Sequence, residues 1–500
     1  MKRFCQCSVI GVFLVFLLGF GSCQPDSRQT SNTNTSKPNS NTPTSNVPST
    51  VQKVTSTEFP DFGFMVSQTD YINKYSKEPI FKLKADFPAE KPSDANMPAF
   101  MKIDFKADPK GYIMGVRDYS FEGNLPNWDP FANQTRQWYH IPWLHPNSES
   151  GYPPNGGTEG FRGLIKEAPI SPKQLSETQN QGYQVYAITL INEYAGYTMG
   201  QMWKDPDNPN PGATDKRYGG GFLPGTVFAK LLFTDAPEGT DKVDFLENPL
   251  SWNVYITENW NSSTRVVKKV NLLQMDIAVR DPRADGPGQT GWVFGTFVYN
   301  GKLNNENKFM NLVPVGVMWG NDPDIKDNNV NPFPPKPVDQ IQNKNLKETV
   351  VFPSADLPPQ HLGWNSRLNG PADLNTASCL SCHITAEYPQ ATPLVADGMV
   401  PDGGPTPPPQ GGSPEWMKWF QNIPAATPMN SETYSTDFSF QVAIALENFF
   451  DVRNAKFQGM WATDYRLKEF PISRDGGGGD EPPKPVMMKN ANTVAKPAKK

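Results

Sequence analysis

Five consecutive residues, Cys379-Leu380-Ser381-Cys382-His383, constrain this chain more than any other stretch. Two cysteines three positions apart sit one helical turn from each other, on one side of a helix. The histidine that follows at once lies beside them. At that spacing each thiol can add to one vinyl group of a porphyrin while an imidazole nitrogen reaches the iron beneath the ring. The pentapeptide is the attachment signature of c-type haem.

Three other readings of a Cys-x-x-Cys pair are a zinc half-site, a dithiol redox motif and a plain disulfide. The chain has five cysteines, and Cys5, Cys7 and Cys23 belong to an export segment. No second pair is left to complete a cysteine-rich zinc site. A dithiol motif is expected near a βαβ pattern, and none is visible.

Residues 1–22 read as a signal peptide. Lys2 and Arg3 supply its charge, and Val9 to Phe20 is an apolar run too short to span a bilayer comfortably. Phe20-Gly21-Ser22-Cys23 resembles a bacterial lipobox, with Phe20 where an aliphatic residue is usual, so Cys23 is the expected lipidation site and membrane anchor. Ordinary cleaved secretion is the alternative. Both place the protein outside the cytoplasm, periplasmic or at the outer-membrane surface, where c-type haem is attached. Residues 23–58 are Ser, Thr, Asn and Pro with almost no large apolar side chains. Such a segment buries too little to offset its ordering entropy and reads as a disordered tether. Residues 475–500 begin with Asp475 and four glycines and read as a second disordered tail.

Net charge is −5, and about −7 once Lys2 and Arg3 leave. This gives no support to nucleic-acid binding, which needs a basic face. Between the tethers the expected fold is α+β: a large antiparallel β-rich body over residues 59–345, then a mainly helical c-type haem region over 346–474. Leu273 to Arg280 alternates with period two, and Trp292 to Tyr299 is apolar on both faces, as in a central strand. The Pro, Gly and Asp of 281–291 suit a hairpin connection between them. Tyr183 to Ile191 and Tyr197 to Trp203 read as another hairpin. Thr226 to Phe233, Trp252 to Ile256 and Leu312 to Trp319 complete the sheet.

Lys230 interrupts one of these runs and shares a strand face with Phe228 and Leu232. A buried lysine of lowered pKa would be reactive. The plainer reading is a snorkelling or ion-paired lysine, with Asp276 on a neighbouring strand as the candidate partner. His140 and His145 are five apart, so on one strand they face opposite sides and cannot both reach one iron. Each reads first as a structural histidine.

In the haem region, Asn375-Thr376 is the expected cap of a short helix carrying Cys379, Cys382 and the iron ligand His383. Met399, in a Pro/Gly-rich loop, is the candidate sixth ligand, with His361, His140 and an open site as alternatives. Met417, on a short helix capped by Ser413, and Met429 read as core fillers. Asp437 to Phe450 repeats apolar residues at helical spacing, with Ser435 or Thr436 as its expected cap.

Leu368 to Asp373 leading into Cys379–His383, Trp138 to His145, Gly291 to Tyr299 and Trp419 to Pro424 together resemble a group of exported bacterial monohaem proteins of the cytochrome c family. The resemblance covers most of the chain between the tethers. It implies one covalent haem c, electron transfer and a redox partner protein, in general terms. Phe222 to Lys230 is similar to a Gly-Thr-then-Lys strand in the hydroxylamine-oxidising monohaem cytochromes whose haem is cross-linked to a lysine. That similarity implies a cross-linking role for Lys230. The long C-terminal extension and large N-terminal body depart from that second family. A carrier is the expected function. The alternative is a haem enzyme with an open distal site, peroxidase-like or acting on hydroxylamine or nitrogen oxides, and a third reading is a haem-bearing sensor or binding module.

Overall fold

Strands dominate wherever β-branched and aromatic residues alternate. The computed structural model describes residues 63–457, apart from 65, 125–126, 145–156, 239–242, 244, 260–261, 263, 327–341, 353–361 and 396–408. The expected signal peptide, tether, tail and Cys23 lie outside the described residues, as do His145, His361 and Met399.

Among the described residues the main sheet has nine strands. They are Trp138–Tyr139 (β1), Ile165–Lys166 (β2), Val185–Asn192 (β3), Val227–Thr234 (β4), Ser251–Thr257 (β5), Arg265–Arg280 (β6), Trp292–Tyr299 (β7), Leu312–Met318 (β8) and Thr349–Val351 (β9). The order is β9-β8-β7-β6-β4-β3-β1, with β2 also on β3 and β5 also on β6, and every pairing is antiparallel. The large antiparallel sheet is therefore as expected. β6 is long enough to pair β5 through its first half and β4 through its second. β7 lies between β6 and β8, and all eight of its residues are buried.

One face of the sheet is covered by the helix Pro109–Phe121 (α1), started by Asp108, whose carboxylate accepts from Gly111 N at 2.9 Å. Tyr112, Ile113 and Val116 join Leu231, Met275, Ile277 and Phe297 in its core. The helix comes close because β7 has Gly295 beneath it: a Cβ there would lie 2.6 Å from Ile113 Cδ1.

The opposite face is covered by the C-terminal part of the chain. Ile191, Phe228, Phe294 and Val298 of the sheet pack with Leu380, Val442, Leu446 and Phe449. The last three come from the helix Phe440–Phe457, α4 below.

Tyr197 to Trp203 does not form the expected hairpin strand. Tyr197 to Met202 lies within the helix Glu193–Met202 (α2), which Trp203 caps, while β3 pairs with β4 instead. Asn192 decides this: its side-chain oxygen accepts from Ala195 N, starting a helix where the strand ends. Ala195, Met199 and Met202 then fall on one buried helical face.

Helices after residue 346 are confined, among the described residues, to Cys379–His383 (α3), Phe440–Phe457 (α4) and 3-10 turns at Trp364–Ser366 and Trp416–Lys418. A small pair, Glu387–Tyr388 with Tyr434–Ser435, is extended, and the rest is irregular. Buried polar side chains hold these loops by bonding their backbone. Arg367 donates to the carbonyls of Asn321 (2.7 Å), Asp322 (2.9 Å) and Ile325 (2.9 Å). Glu387 accepts from Thr392 N at 2.8 Å and Asn430 N at 2.9 Å.

The expected caps are displaced. α4 starts three residues beyond Asp437, and its first turn is met by Ser439, whose hydroxyl accepts from Val442 N at 3.3 Å, rather than by Ser435 or Thr436. Asp437 and Phe438 have φ of +49° and +66°, which no right-handed helix contains.

Candidate functional site

α3 is only five residues long and is set by its cap. Ser378 Oγ accepts from Ser381 N at 3.0 Å, and Ser381 Oγ accepts from Ser378 N at 2.7 Å, a reciprocal capping box. Ser378, not Asn375-Thr376, therefore starts the helix. Ser378 Oγ in turn donates to Asn321 Oδ1 at 3.0 Å, pinning the turn to the loop after β8. Leu380 and Ser381 are buried, whereas Cys379, Cys382 and His383 keep accessible surface on one side of the turn.

Both cysteines are free thiols, so no disulfide joins them. Burial pushes the Cys379 thiol well above its ordinary value, reinforced by Asp276 and Asp373. Burial and then Asp373 push Cys382 up to about 12. These surroundings oppose a thiolate, which a dithiol nucleophile or zinc ligand requires. Among the described residues, no three His, Cys, Asp or Glu side chains group as a metal site of their own.

His383 Nδ1 lies 2.6 Å from the carbonyl oxygen of Phe438. A carbonyl only accepts, so Nδ1 carries the hydrogen and Nε2 keeps its lone pair. Burial pushes the imidazole down to about 4, partly offset by this bond and aided by the charge of Lys230. The ring is therefore neutral at physiological pH. Phe294 and Phe440, with centroids 4.8 Å and 5.4 Å away, hold its plane. The Phe438 carbonyl is aimed by the left-handed backbone at 437–438. Asp437 holds that turn by accepting from Phe222 N (2.8 Å), Ala426 N (2.7 Å) and the Trp292 indole (2.8 Å).

A polar band crosses the sheet on the same face. Thr189 of β3, Lys230 of β4, Asp276 of β6 and Thr296 of β7 are successive cross-strand neighbours. Thr296 donates to Asp276 Oδ1 at 3.0 Å and lies 3.8 Å from Cys379 Sγ, which joins the band to the cysteine pair. Gln441 of α4 donates to Thr189. Gln274 Nε2 donates to both oxygens of Asp276 (2.9 Å each) and to Asp373 Oδ2 (2.8 Å). Its orientation is fixed because its oxygen accepts from Ala372 N at 3.0 Å.

Lys230 bonds Glu167 at 2.8 Å, with Asp276 its register neighbour rather than its ion-pair partner. Burial alone would lower its pKa, but Glu167, Asp276 and Asp373 together raise it. The lysine is thus charged, not the lowered-pKa nucleophile. Burial and then the charge of Asp373 push the Asp276 carboxyl up, and burial and the charge of Glu167 push Asp373 up, each against the pull of Gln274 and Lys230.

His140 stands elsewhere. Its Nδ1 accepts from Lys84 N at 2.9 Å, so its lone pair is already used, and burial pushes it down to about 3. Met417 packs against Trp364, Trp416 and Phe420, and Met429 against the core behind α3. No protein-family model, curated protein or solved structure matches this chain.

Gln274, Thr296, Asp373, Glu167 and Asp437 were not legible as site residues in the sequence, and Asp276 was legible only as a neighbouring-strand charge for Lys230. The available signal was Lys230 itself, because a lysine within an apolar strand needs carboxylates nearby. Strand register sets the positions of Gln274, Asp276 and Thr296, and loops outside the strands set those of Glu167, Asp373 and Asp437, neither of which the local pattern gives.

Proposed function

We propose that the chain is a c-type monohaem cytochrome, holding one haem through thioethers to Cys379 and Cys382 with His383 as axial ligand, and transferring electrons outside the cytoplasm. The observation that carries this reading is the combination at α3. Two neutral thiols and one imidazole share the accessible side of a single capped turn, and the imidazole has its Nδ1 hydrogen engaged and its Nε2 lone pair available. A second hydrogen bond that fixes ring orientation and tautomer is what an iron-ligating histidine needs. The bound haem would supply one-electron chemistry tuned by axial ligation and burial. The chain's own residues orient the imidazole, pack Phe294 and Phe440 beside it and seal the turn with Leu380. Met399 remains the proposed sixth ligand, with His361 or an open position as alternatives. The export reading adds a redox partner protein and a lipid anchor at Cys23.

The second reading, a haem enzyme acting on hydroxylamine, a nitrogen oxide or a peroxide, is favoured by the polar band. A carrier needs no half-buried Lys230, Asp276 and Asp373 next to its attachment turn, whereas proton-transfer chemistry uses such groups. By the same reading, the charged Lys230 is the residue to inspect for a covalent link to the cofactor.

Optical spectra of the haem-loaded soluble part, oxidised, reduced and with carbon monoxide, separate the two readings. A low-spin reduced spectrum unmoved by carbon monoxide supports the carrier. A high-spin spectrum that shifts supports the enzyme, and the absence of covalent haem overturns both.

A further inference from the structure

We infer that Asp276 and Asp373, bridged by the Gln274 amide, form a one-proton acid–base site that takes up a proton when the cofactor held at Cys379 and Cys382 accepts an electron. This rests on the haem reading above.

The argument begins with charge. The groups facing this space are Glu167 beyond β2, Lys230 of β4, Asp276 of β6, Asp373 of the loop before α3, and Cys379, Cys382 and His383 of α3. Lys230 is engaged by Glu167 at 2.8 Å. Two thiols and a neutral imidazole supply no further cation. Asp276 and Asp373 therefore face each other's charge with a neutral amide between them, since Gln274 Nε2 reaches Asp276 at 2.9 Å and Asp373 at 2.8 Å. Two neighbouring half-buried carboxyls under these conditions ionise in two coupled steps, so the pair retains one proton over an intermediate pH range.

The site is also placed to respond. Asp276 connects through Thr296 (3.0 Å) to Cys379 Sγ (3.8 Å), so negative charge added to the cofactor falls on the pair across one hydroxyl. In a poorly polarisable interior that charge raises the proton affinity of the nearest carboxyls. Solvent has access: the side chains of Lys230 and Glu167 keep 26 % and 28 % of their surface. The step balances simply. One electron arrives from an external one-electron donor, one proton arrives from water, and the proton binds a carboxylate oxygen of the pair. No covalent bond in the chain breaks.

The test uses the full chain with its covalent haem. The midpoint potential is measured by redox titration between about pH 5.5 and 8.5. The expected result is a potential that falls as pH rises, approaching one proton per electron at its steepest. Asp276→Asn and, independently, Asp373→Asn remove that slope, while Glu432→Gln on the exposed surface leaves it. A second readout needs no cofactor. Infrared difference spectra of the full chain with both motif cysteines replaced show a protonated-carboxyl band near neutral pH that either aspartate variant abolishes. A flat potential in the wild type overturns the coupling even where haem is bound. A slope unchanged in both variants assigns the proton elsewhere and overturns the site. A chain that acquires no covalent haem overturns the haem reading and the coupling together, and the infrared band then tells whether the pair still shares a proton.

Discussion

The two faces of the main sheet are built from the same alternating strands and carry different side chains. The face under α1 is continuous hydrocarbon and aromatic surface, closed tightly enough that Gly295 must lack a side chain. The face under the C-terminal segment begins the same way, with Phe228, Phe294 and Val298, but is crossed by Thr189, Lys230, Asp276 and Thr296. A sheet can carry such a band when its ladder and first apolar face already hold it together. The polar residues are then kept in place by satisfied hydrogen bonds rather than by hydrophobic packing. One face is thus wholly a packing surface, and the other carries the polar band on which the proposed chemistry rests.

Removing both thiols should give the largest effect. Cys379→Ala with Cys382→Ala is expected to abolish covalent haem while the sheet persists, checked by haem staining after denaturing electrophoresis and by far-ultraviolet circular dichroism. The reciprocal change strikes the other face. Ile113→Ala should cost about 2–5 kcal/mol in denaturant unfolding, as a large-to-small core substitution does. The spectrum of bound haem should not move, because Ile113 lies across the sheet from α3. A spectral change there would break the division of labour.

Gly370→Ala sharpens the comparison within the polar face. A Cβ at 370 would collide with the Gln274 amide, so the side chain must turn away. Loss of up to about 3 kcal/mol is expected from the overpacking, and infrared spectra should show the altered protonation of Asp276 and Asp373.

The smallest effects are pH dependences of opposite sign. Asp276 has its folded pKa raised above the ordinary 3.8. The folded state then binds the proton more tightly, so this stability is full below 3.8 and declines as pH rises from there toward the raised value. Asp276→Asn should remove that decline in urea unfolding series. His140 is pushed down to about 3 from 6.5, so its contribution is full above 6.5 and is lost as pH falls through that interval. His140→Gln should flatten the acid side alone.

Much of the sheet was legible because its strands alternate locally: β4, β5, β7 and β8 fall where β-branched and aromatic runs predict them. α2 was misread because Tyr197 to Trp203 satisfies a strand pattern over a few residues, and only the Asn192 cap and the longer spacing of Ala195, Met199 and Met202 decide for helix. The caps at Ser378 and Ser439 were missed by two to four residues, because several serines and threonines compete and left-handed backbone at 437–438 settles one case. The cysteines and His383 stand out in the sequence because the chemistry proposed for them depends on spacing within one helical turn. Of the charges around Lys230, only Asp276, its register neighbour on β6, was legible. Glu167 and Asp373 come from beyond β2 and from the loop before α3, and long-range folding brings them in.

The intact mass of the purified chain, produced with haem-attachment machinery and denatured before measurement, tests the central claim most directly. The expected result is one haem added covalently, located by peptide mapping to the fragment bearing Cys379 and Cys382. A chain of unmodified mass with both thiols free to alkylation would contradict it.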